Sequence, residues 1–467
     1  MGMDFKTKQV IKQAVQNVVL PVCYQANRGR KVDPKLVVFA DAHHNSRPAA
    51  MDLLYRKLKK CGEFRLIEHY LDYATAGAAE VAKHSTRFMQ LYAGAGFVVI
   101  CDNFLPVASC AKRRETKVIQ LWHACGCYKK FGYDSPDDIP DDYHGANVYR
   151  NADLVTVSGE AAVKPFASAM RLPESCVKPV GVSRTDLYFR KKWQERCRRR
   201  FYEQYPQASG VSPQVHGKNG IAVEEPDTVR KCEPEGRSSF DYGTGIRPDR
   251  IRNKHRFTDE SGKGAIKAEE DCSCTMRKKV VLWAPTFRGN AGVPELMPLD
   301  LKKLQQELGD EYLVLARLHP HLITAMKKTP TWNVEDYICM IPTEELYPVV
   351  DVLIADYSSL IYEYLLFRKP LVLYVPDLQE YRCRRGFYMD IEDIPGQIVT
   401  REQDLACAVI EAAQKRDAQL REQGDAGVKR EAADRENSDT KLEHFLETYM
   451  GACDGKATDR IVEWMRQ

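Results

Sequence analysis

Two serines wedged between a buried strand and a helix are the most chemically loaded feature of this sequence. The stretch Asp351-Val-Leu-Ile-Ala-Asp-Tyr-Ser-Ser-Leu-Ile-Tyr-Glu-Tyr-Leu-Leu-Phe-Arg-Lys-Pro370 reads as a strand over Val352 to Ala355, a polar turn, and a helix starting at Ser358 or Ser359. A second apolar strand, Leu371 to Val375, follows. Such a turn sets two hydroxyls and unpaired backbone N–H groups at the positive end of a helix. That is an anion site, and phosphate is the expected anion. The alternative is a pair of N-cap serines that serve the helix alone.

Imidazoles and cations recur at other strand ends. Val118-Ile-Gln-Leu-Trp-His123 sets His123 just past a strand, with Gly126, Lys129 and Lys130 close behind. A neutral imidazole in a cleft takes a proton from an attacking hydroxyl; otherwise it is a histidine at the edge of a core. Leu313-Val-Leu-Ala-Arg-Leu-His-Pro320 repeats the pattern, with His319 at the strand end and Arg317 two residues earlier on the same face. A cationic or hydrogen-bond-donating His319 suits a pyrophosphate. Ala284-Pro-Thr-Phe-Arg288 is a third such loop, and Arg288 pairs there with a phosphate or with a surface carboxylate. Asp351 and Asp356 flank one strand but point to opposite faces, so they make no acidic metal cluster. No metal and no cofactor are expected: imidazole, hydroxyl and backbone N–H groups position and stabilise the charge.

The elements that must carry these groups alternate between strand and helix. Leu36 to Ala40 reads as a first strand ending in Asp41-Ala42-His43-His44-Asn45-Ser46, and Pro48 opens a helix with Met51, Leu53, Leu54 and Leu58. Arg65 to Ile67, Phe97 to Cys101, Val118 to Leu121 and Leu154 to Val157 are further strands. Lys279 to Ala284, Leu313 to Arg317, Tyr337 to Met340, Val352 to Ala355 and Leu371 to Val375 form a second series. The pattern predicts an α/β protein with two parallel, doubly wound, Rossmann-like domains facing across a cleft, at residues 34–190 and 278–425. Residues 426–467 read as closing helices. Residues 206–277 are rich in Gly, Pro, Ser and charge with no apolar period, and read as a low-complexity, disordered or loosely held insertion.

Composition narrows the class. A net charge of +4 on 467 residues is too small for a nucleic-acid binder, so no nucleic acid is expected as a partner. No apolar run reaches ~18 residues, so no transmembrane helix is expected. The 15 cysteines are scattered, without paired C-x-x-C spacing, and read as reduced thiols. Residues 1–33 begin with a weakly amphipathic basic helix over 4–20: Lys6, Lys8 and Lys12 stand beside Ile11, Val15 and Val18, and Arg28, Arg30 and Lys31 follow. An anionic membrane surface is the expected partner of this segment, on the cytoplasmic face of the cell membrane. An ordinary helix packed on the first domain is the alternative.

Taken in order, several of these segments resemble the CDP-glycerol glycerophosphotransferases of teichoic acid synthesis. They are Gln120-Leu-Trp-His-Ala-Cys-Gly126 with Lys129-Lys130-Phe131-Gly132, Gly181-Val-Ser-Arg-Thr-Asp186, Trp283-Ala-Pro-Thr-Phe-Arg288 and Arg317-Leu-His-Pro320. Asp351 to Tyr364, Asp377-Leu-Gln-Glu-Tyr381, Arg385-Gly-Phe-Tyr388 with Asp390, Pro395-Gly396, and Asp454-Gly-Lys-Ala-Thr-Asp-Arg460 complete the set. The resemblance implies a glycosyltransferase-B architecture that transfers a phosphoalditol, glycerol phosphate being the expected unit. A hydroxyl of a lipid-linked, teichoic-acid-like polymer attacks the β-phosphate of a CDP-alditol, and CMP leaves. It further implies that His123 is the general base, that His319 binds and stabilises the donor pyrophosphate, and that Ser358 and Ser359 are phosphate ligands. Glu363, one turn along the same helix, then holds the cytidine ribose or caps local donors.

Two departures bear on the acceptor loop. Ala124 and Cys125 stand where the family often has Gly-Thr, and one extra residue precedes the Lys129–Lys130 pair. A nucleotide-sugar glycosyltransferase of the same fold and a non-catalytic membrane scaffold are the competing functions. The first would release a nucleoside diphosphate instead of CMP, and the second would lack the histidines and serines that are present.

Overall fold

The computed structural model describes residues 14–143, 145–210, 277–290, 293–326, 333–425 and 440–467. Two parallel sheets organise them. The first contains β1 (Asp33–Asp41), β2 (Arg65–Tyr70), β3 (Ala95–Ile100), β4 (Lys117–Gln120), β5 (Leu154–Thr156) and β6 (Val177–Lys178), in the order β2-β1-β3-β4-β5-β6. The second half supplies β7 (Lys279–Ala284), a small antiparallel hairpin of β8 (Arg288–Asn290) and β9 (Val293–Glu295), then β10 (Tyr312–Ala316), β11 (Val352–Ala355), β12 (Leu371–Tyr374) and β13 (Gln397–Val399). Its sheet runs β10-β7-β11-β12-β13. In each sheet the order reverses once, between β1 and β3 and between β7 and β11. At such a reversal the flanking loops leave in opposite directions and open a crevice at the carboxyl ends of the strands.

The buried strands account for the apolar runs. Val352, Leu353, Ile354 and Ala355 are all buried, as are Val280 to Ala284, because helices cover both faces of the sheet. The helix Ala49–Cys61 turns Met51, Leu54 and Leu58 onto Val37 and Phe39 and ends at Gly62 in the left-handed region. The closing helices tie the halves together. Ile461, Val462 and Met465 of helix Ala457–Arg466 enter the core of the first sheet. Phe445 and Met450 of helix Thr440–Met450 share one apolar cluster with Tyr128, Val182, Leu353 and Tyr362, so the two halves rest on a common core.

Three expectations change. Tyr337 to Met340 is not a strand: Ile338 alone bridges Ala316, since the 3₁₀ turn Glu335–Tyr337 and Pro342 leave too few residues for a ladder. β6, β13 and the hairpin are too short to carry a period and were not legible. The apolar seam of the first helix also turns. Ile11 lies outside the described residues, Val15 is half-buried and Val18 is exposed, whereas Gln16, Leu20 and Tyr24 face the core. Residues 211–276, the body of the expected insertion, lie outside the described residues, as do 426–439 in the closing segment.

Candidate functional site

Each crevice carries one of the two histidines. His123 follows β4 by way of Leu121 and Trp122. Trp122 has φ 55°, the left-handed region that a bulky residue adopts only at a cost. This bend folds the chain back toward β3. The ring of His123 stacks on Trp122 at 4.5 Å, and its Nδ1 comes within 3.3 Å of Asp102 Oδ2 and 3.4 Å of the Cys101 carbonyl. About half of the His123 side chain stays exposed, which leaves Nε2 available to a ligand.

Past His123 the loop crosses to the second half. Gly126, with φ 67°, lies flat on the ring of Tyr362, and a Cβ there would collide with it. Lys129 then pairs with Phe387 as an isolated antiparallel bridge, and the Lys130 amide donates to the Gly386 carbonyl at 3.2 Å. Arg385 clamps Asp138 at 2.9 Å, and the Tyr388 hydroxyl donates to Asp134 at 2.6 Å. The 385–388 motif is therefore a dock for the loop that follows His123.

That dock brings Lys129 to the second crevice. Burial and the neighbouring Arg385 push its ammonium down to about 8, with Asp356 and Asp138 pulling the other way. His319 stands past β10, between Phe287 and His321 at ring distances of 4.9 Å each. Its Nδ1 accepts from the His321 amide at 3.3 Å, which leaves the N–H on Nε2. Partial burial, His321 and Lys129 hold it down to about 4. With Nδ1 accepting from the His321 amide and burial disfavouring the charged form, the geometry supports the hydrogen-bond-donating reading of His319.

At the second reversal of strand order stand the serines. The helix Leu360–Leu365 begins right after Ser359. The Ser358 hydroxyl accepts from the Leu360 amide at only 3.4 Å, and the Ser359 side chain caps nothing. Both are partly exposed. Asp356, by contrast, is buried and accepts from the Thr286 amide and hydroxyl at 3.0 and 2.7 Å, and from Arg288 at 2.8 Å. Arg288 also engages Asp377 through Nε at 2.6 Å and lies over the rings of Tyr357 and Tyr381. It thus pairs with carboxylates inside the crevice wall and braces the β7 loop. Arg317 donates to the Cys339 carbonyl at 3.1 Å and the Thr343 hydroxyl at 3.4 Å, fixing the neighbouring loop.

Glu363 is enclosed by protein. Arg184 grips it in a bidentate pair, Nε to Oε2 at 3.1 Å, and the Tyr188 hydroxyl donates to the same carboxylate. Arg184 also donates to the His123 carbonyl at 2.6 Å. Of the two readings of Glu363, capping local donors is the one this geometry carries. Sequence reasoning gave no role to Arg184 or His43, both inside segments it quoted, and did not reach Asp102. A strand-end rule applied evenly would have found Asp102, which follows Phe97 to Cys101 as His123 follows Val118 to Leu121. Other shared motifs are architectural. Asp186 accepts from the amides of Ala457 and Thr458 at 3.0 and 2.9 Å, and Gly181, φ 88°, lets Ala452 approach, so both motifs seat the last helix.

Comparison with known proteins fits this layout. The sequence profile of the CDP-Glycerol:Poly(glycerophosphate) glycerophosphotransferases matches residues 22–212 and 252–426. The residues it skips, 213–251, fall within the expected insertion. The teichoic acid ribitol-phosphate primase of Bacillus spizizenii is 28% identical over 428 residues, covering 88% of this chain and 86% of that protein. The teichoic acid poly(ribitol-phosphate) polymerase of the same organism is 27% identical over 375 residues, and the match spans only 46% of its length. The glycerol-phosphate primase of Bacillus subtilis is 25% identical over 311 residues, 64% of this chain and 61% of its own. The solved structure of the wall teichoic acid polymerase TagF superposes with a TM-score of 0.61 at 18% identity, covering 99% of this chain and 96% of that one, so the fold is shared. Because the profile runs through both sheets and both crevices, the chain belongs to the CDP-glycerol:poly(glycerophosphate) glycerophosphotransferase family.

Proposed function

We propose that this protein transfers a phosphoalditol, glycerol or ribitol phosphate, from a CDP-alditol to a hydroxyl of a lipid-linked teichoic-acid-like polymer, releasing CMP. The observation that carries the reading is the loop from His123 to Lys130, which starts in the first crevice and ends in the second. A base for the acceptor and a cation for the donor are then held on one short, docked segment.

In this reading the pyrophosphate lies between Lys129, the Nε2–H of His319 and the turn at Ser358 and Ser359. These are donors without acceptors of their own charge, aimed where negative charge grows as CMP departs. The acceptor oxygen bonds to the β-phosphorus while the bond from that phosphorus to the bridging oxygen breaks, and the electron pair leaves with CMP. His123 Nε2 receives the hydroxyl proton. Arg288, Arg317 and Glu363 hold the walls, and Lys130 lies at the rim beside Gly386.

The reading also places the protein against an anionic membrane surface on the cytoplasmic face. No helix among the described residues is long and apolar enough to cross a membrane. Support comes from the outward face of the first helical segment, where Val18, Val19 and Val22 are 58%, 45% and 62% exposed, next to exposed Arg28, Arg30 and Lys31.

Incubation of the purified chain with CDP-glycerol or CDP-ribitol and a lipid-linked acceptor tests the function. CMP that appears only with acceptor present is the expected product. Release of a nucleoside diphosphate from sugar nucleotides, with no CMP from either CDP-alditol, would overturn it.

A further inference from the structure

The first crevice holds more than His123. Asp41 ends β1 and is buried; it accepts from the His43 amide at 2.8 Å and from His44 Nδ1 at 2.8 Å, so it shapes the loop that presents His43. Asp102 lies two residues past β3. Its Oδ1 accepts from the Asn103 amide at 2.6 Å, while the Gln120 side chain donates to its carbonyl at 3.0 Å and accepts from the Trp122 amide at 3.2 Å. Asp102 Oδ2 is left facing two imidazoles, His123 Nδ1 at 3.3 Å and His43 Nε2 at 4.0 Å. All this sits at the β1/β3 reversal of strand order, where a doubly wound sheet opens its binding crevice.

We propose that Asp102 is the positioning residue for His123, and that His43 is a second imidazole on the same carboxylate, the three forming an acceptor-side His–Asp–His cluster. The proposal rests on the reading of His123 as the base. The Cys101 carbonyl at 3.4 Å and the Asp102 carboxylate at 3.3 Å together favour the tautomer with its hydrogen on Nδ1, which leaves the lone pair of Nε2 for the acceptor hydroxyl. Once Nε2 takes the proton, the imidazolium lies beside a negative charge and is stabilised by it. His43 Nε2 reaches within 4.0 Å of the same oxygen from the loop after β1.

The test is steady-state kinetics of the full chain carrying Asp102→Asn, Asp102→Glu, His43→Gln and His123→Ala, with the CDP-alditol it turns over and a lipid-linked acceptor. Asp102→Asn is expected to lower kcat about 10²-fold with donor KM within about twofold, since the donor crevice is untouched. Asp102→Glu should restore part of the rate, and His43→Gln should lower kcat by about tenfold. Wild-type kcat in Asp102→Asn, beside an inactive His123→Ala, would overturn the cluster and leave the base intact. Full activity in His123→Ala would remove the base itself. Weakened CDP-alditol binding in Asp102→Asn, measured by calorimetry, would mean general damage and also overturn the positioning role.

Discussion

Arg184 and Glu363 form a buried ion pair that joins the two catalytic halves. The guanidinium comes from the segment after β6, the carboxylate from the helix that follows the serine turn, and their side chains are 15% and 5% exposed. Because the same guanidinium holds the His123 carbonyl, the His123 loop and the helix after Ser359 share one anchor. Removing either partner strands a charge in the core, at a cost of about 3–5 kcal/mol. Arg184→Met and Glu363→Gln should each destabilise by roughly that amount in urea unfolding. The double variant Arg184→Met/Glu363→Leu should regain most of the stability but not the turnover, since the His123 loop stays untethered. Additive losses of stability in the double variant would show that the two groups do not act as a pair.

Ser358 and Ser359 invert this relation between stability and function. Their hydroxyls do little for the fold, so Ser358→Ala with Ser359→Ala should change unfolding free energy by no more than about 0.5 kcal/mol. Donor affinity should fall by about 1.5 kcal/mol or more for each hydroxyl, the worth of a hydrogen bond to a charged group. Calorimetry with CDP-glycerol and CDP-ribitol measures it. Unaltered affinity would leave them as residues of the turn alone.

Lys129 gives donor binding a signature in pH. Its ammonium is held down to about 8 by burial, so it is charged below that pH and neutral above it. Donor affinity should be level up to about pH 7.5 and decline through pH 8–9, with proton uptake on binding in that window and none at pH 6. The folded value lies below the unfolded one, about 10.4, so the unfolded chain binds more protons between the two and this residue's contribution to stability rises with pH there. Lys129→Arg should erase the decline in affinity, because a guanidinium stays charged. A decline that persists in Lys129→Arg would assign it to another group.

The strand-end groups were legible because a parallel sheet leaves little choice. A run such as Val352 to Ala355 must be buried on both faces, so the polar residues that follow must emerge at its carboxyl edge. That argument located His123, His319, Ser358 and Ser359 without coordinates. It gave no partners. Glu363 and Arg184 are 179 residues apart, Asp102 and His123 belong to different strand ends, and Arg288 meets two aspartates from separate loops. Such pairings depend on strand order, which periodicity does not encode. The same holds for Tyr337 to Met340, whose apolar character reflects a single bridge beside Ala316.

The first helix shows how a correct period still misassigns a face. Spacing alone made Val15 and Val18 part of one seam; Val15 does pack on the cluster of Leu20, Tyr24, Phe88, Tyr92 and Val98, but the valines at 18, 19 and 22 turn outward. Single exposed apolar residues are ordinary, but three on one face beside Arg28, Arg30 and Lys31 form a surface suited to an anionic interface. Each basic residue near such a surface contributes about 1 kcal/mol, and each inserted valine about 1.5 kcal/mol at most half-buried depth. Val18→Ser with Val22→Ser should therefore lower partition onto phosphatidylglycerol vesicles by about tenfold or more at low salt. The wild-type protein should be released as salt rises. Neither valine contacts the core, so stability should hold. Sedimentation that is unchanged in the double variant, with the protein still folded, would move the membrane contact to another face.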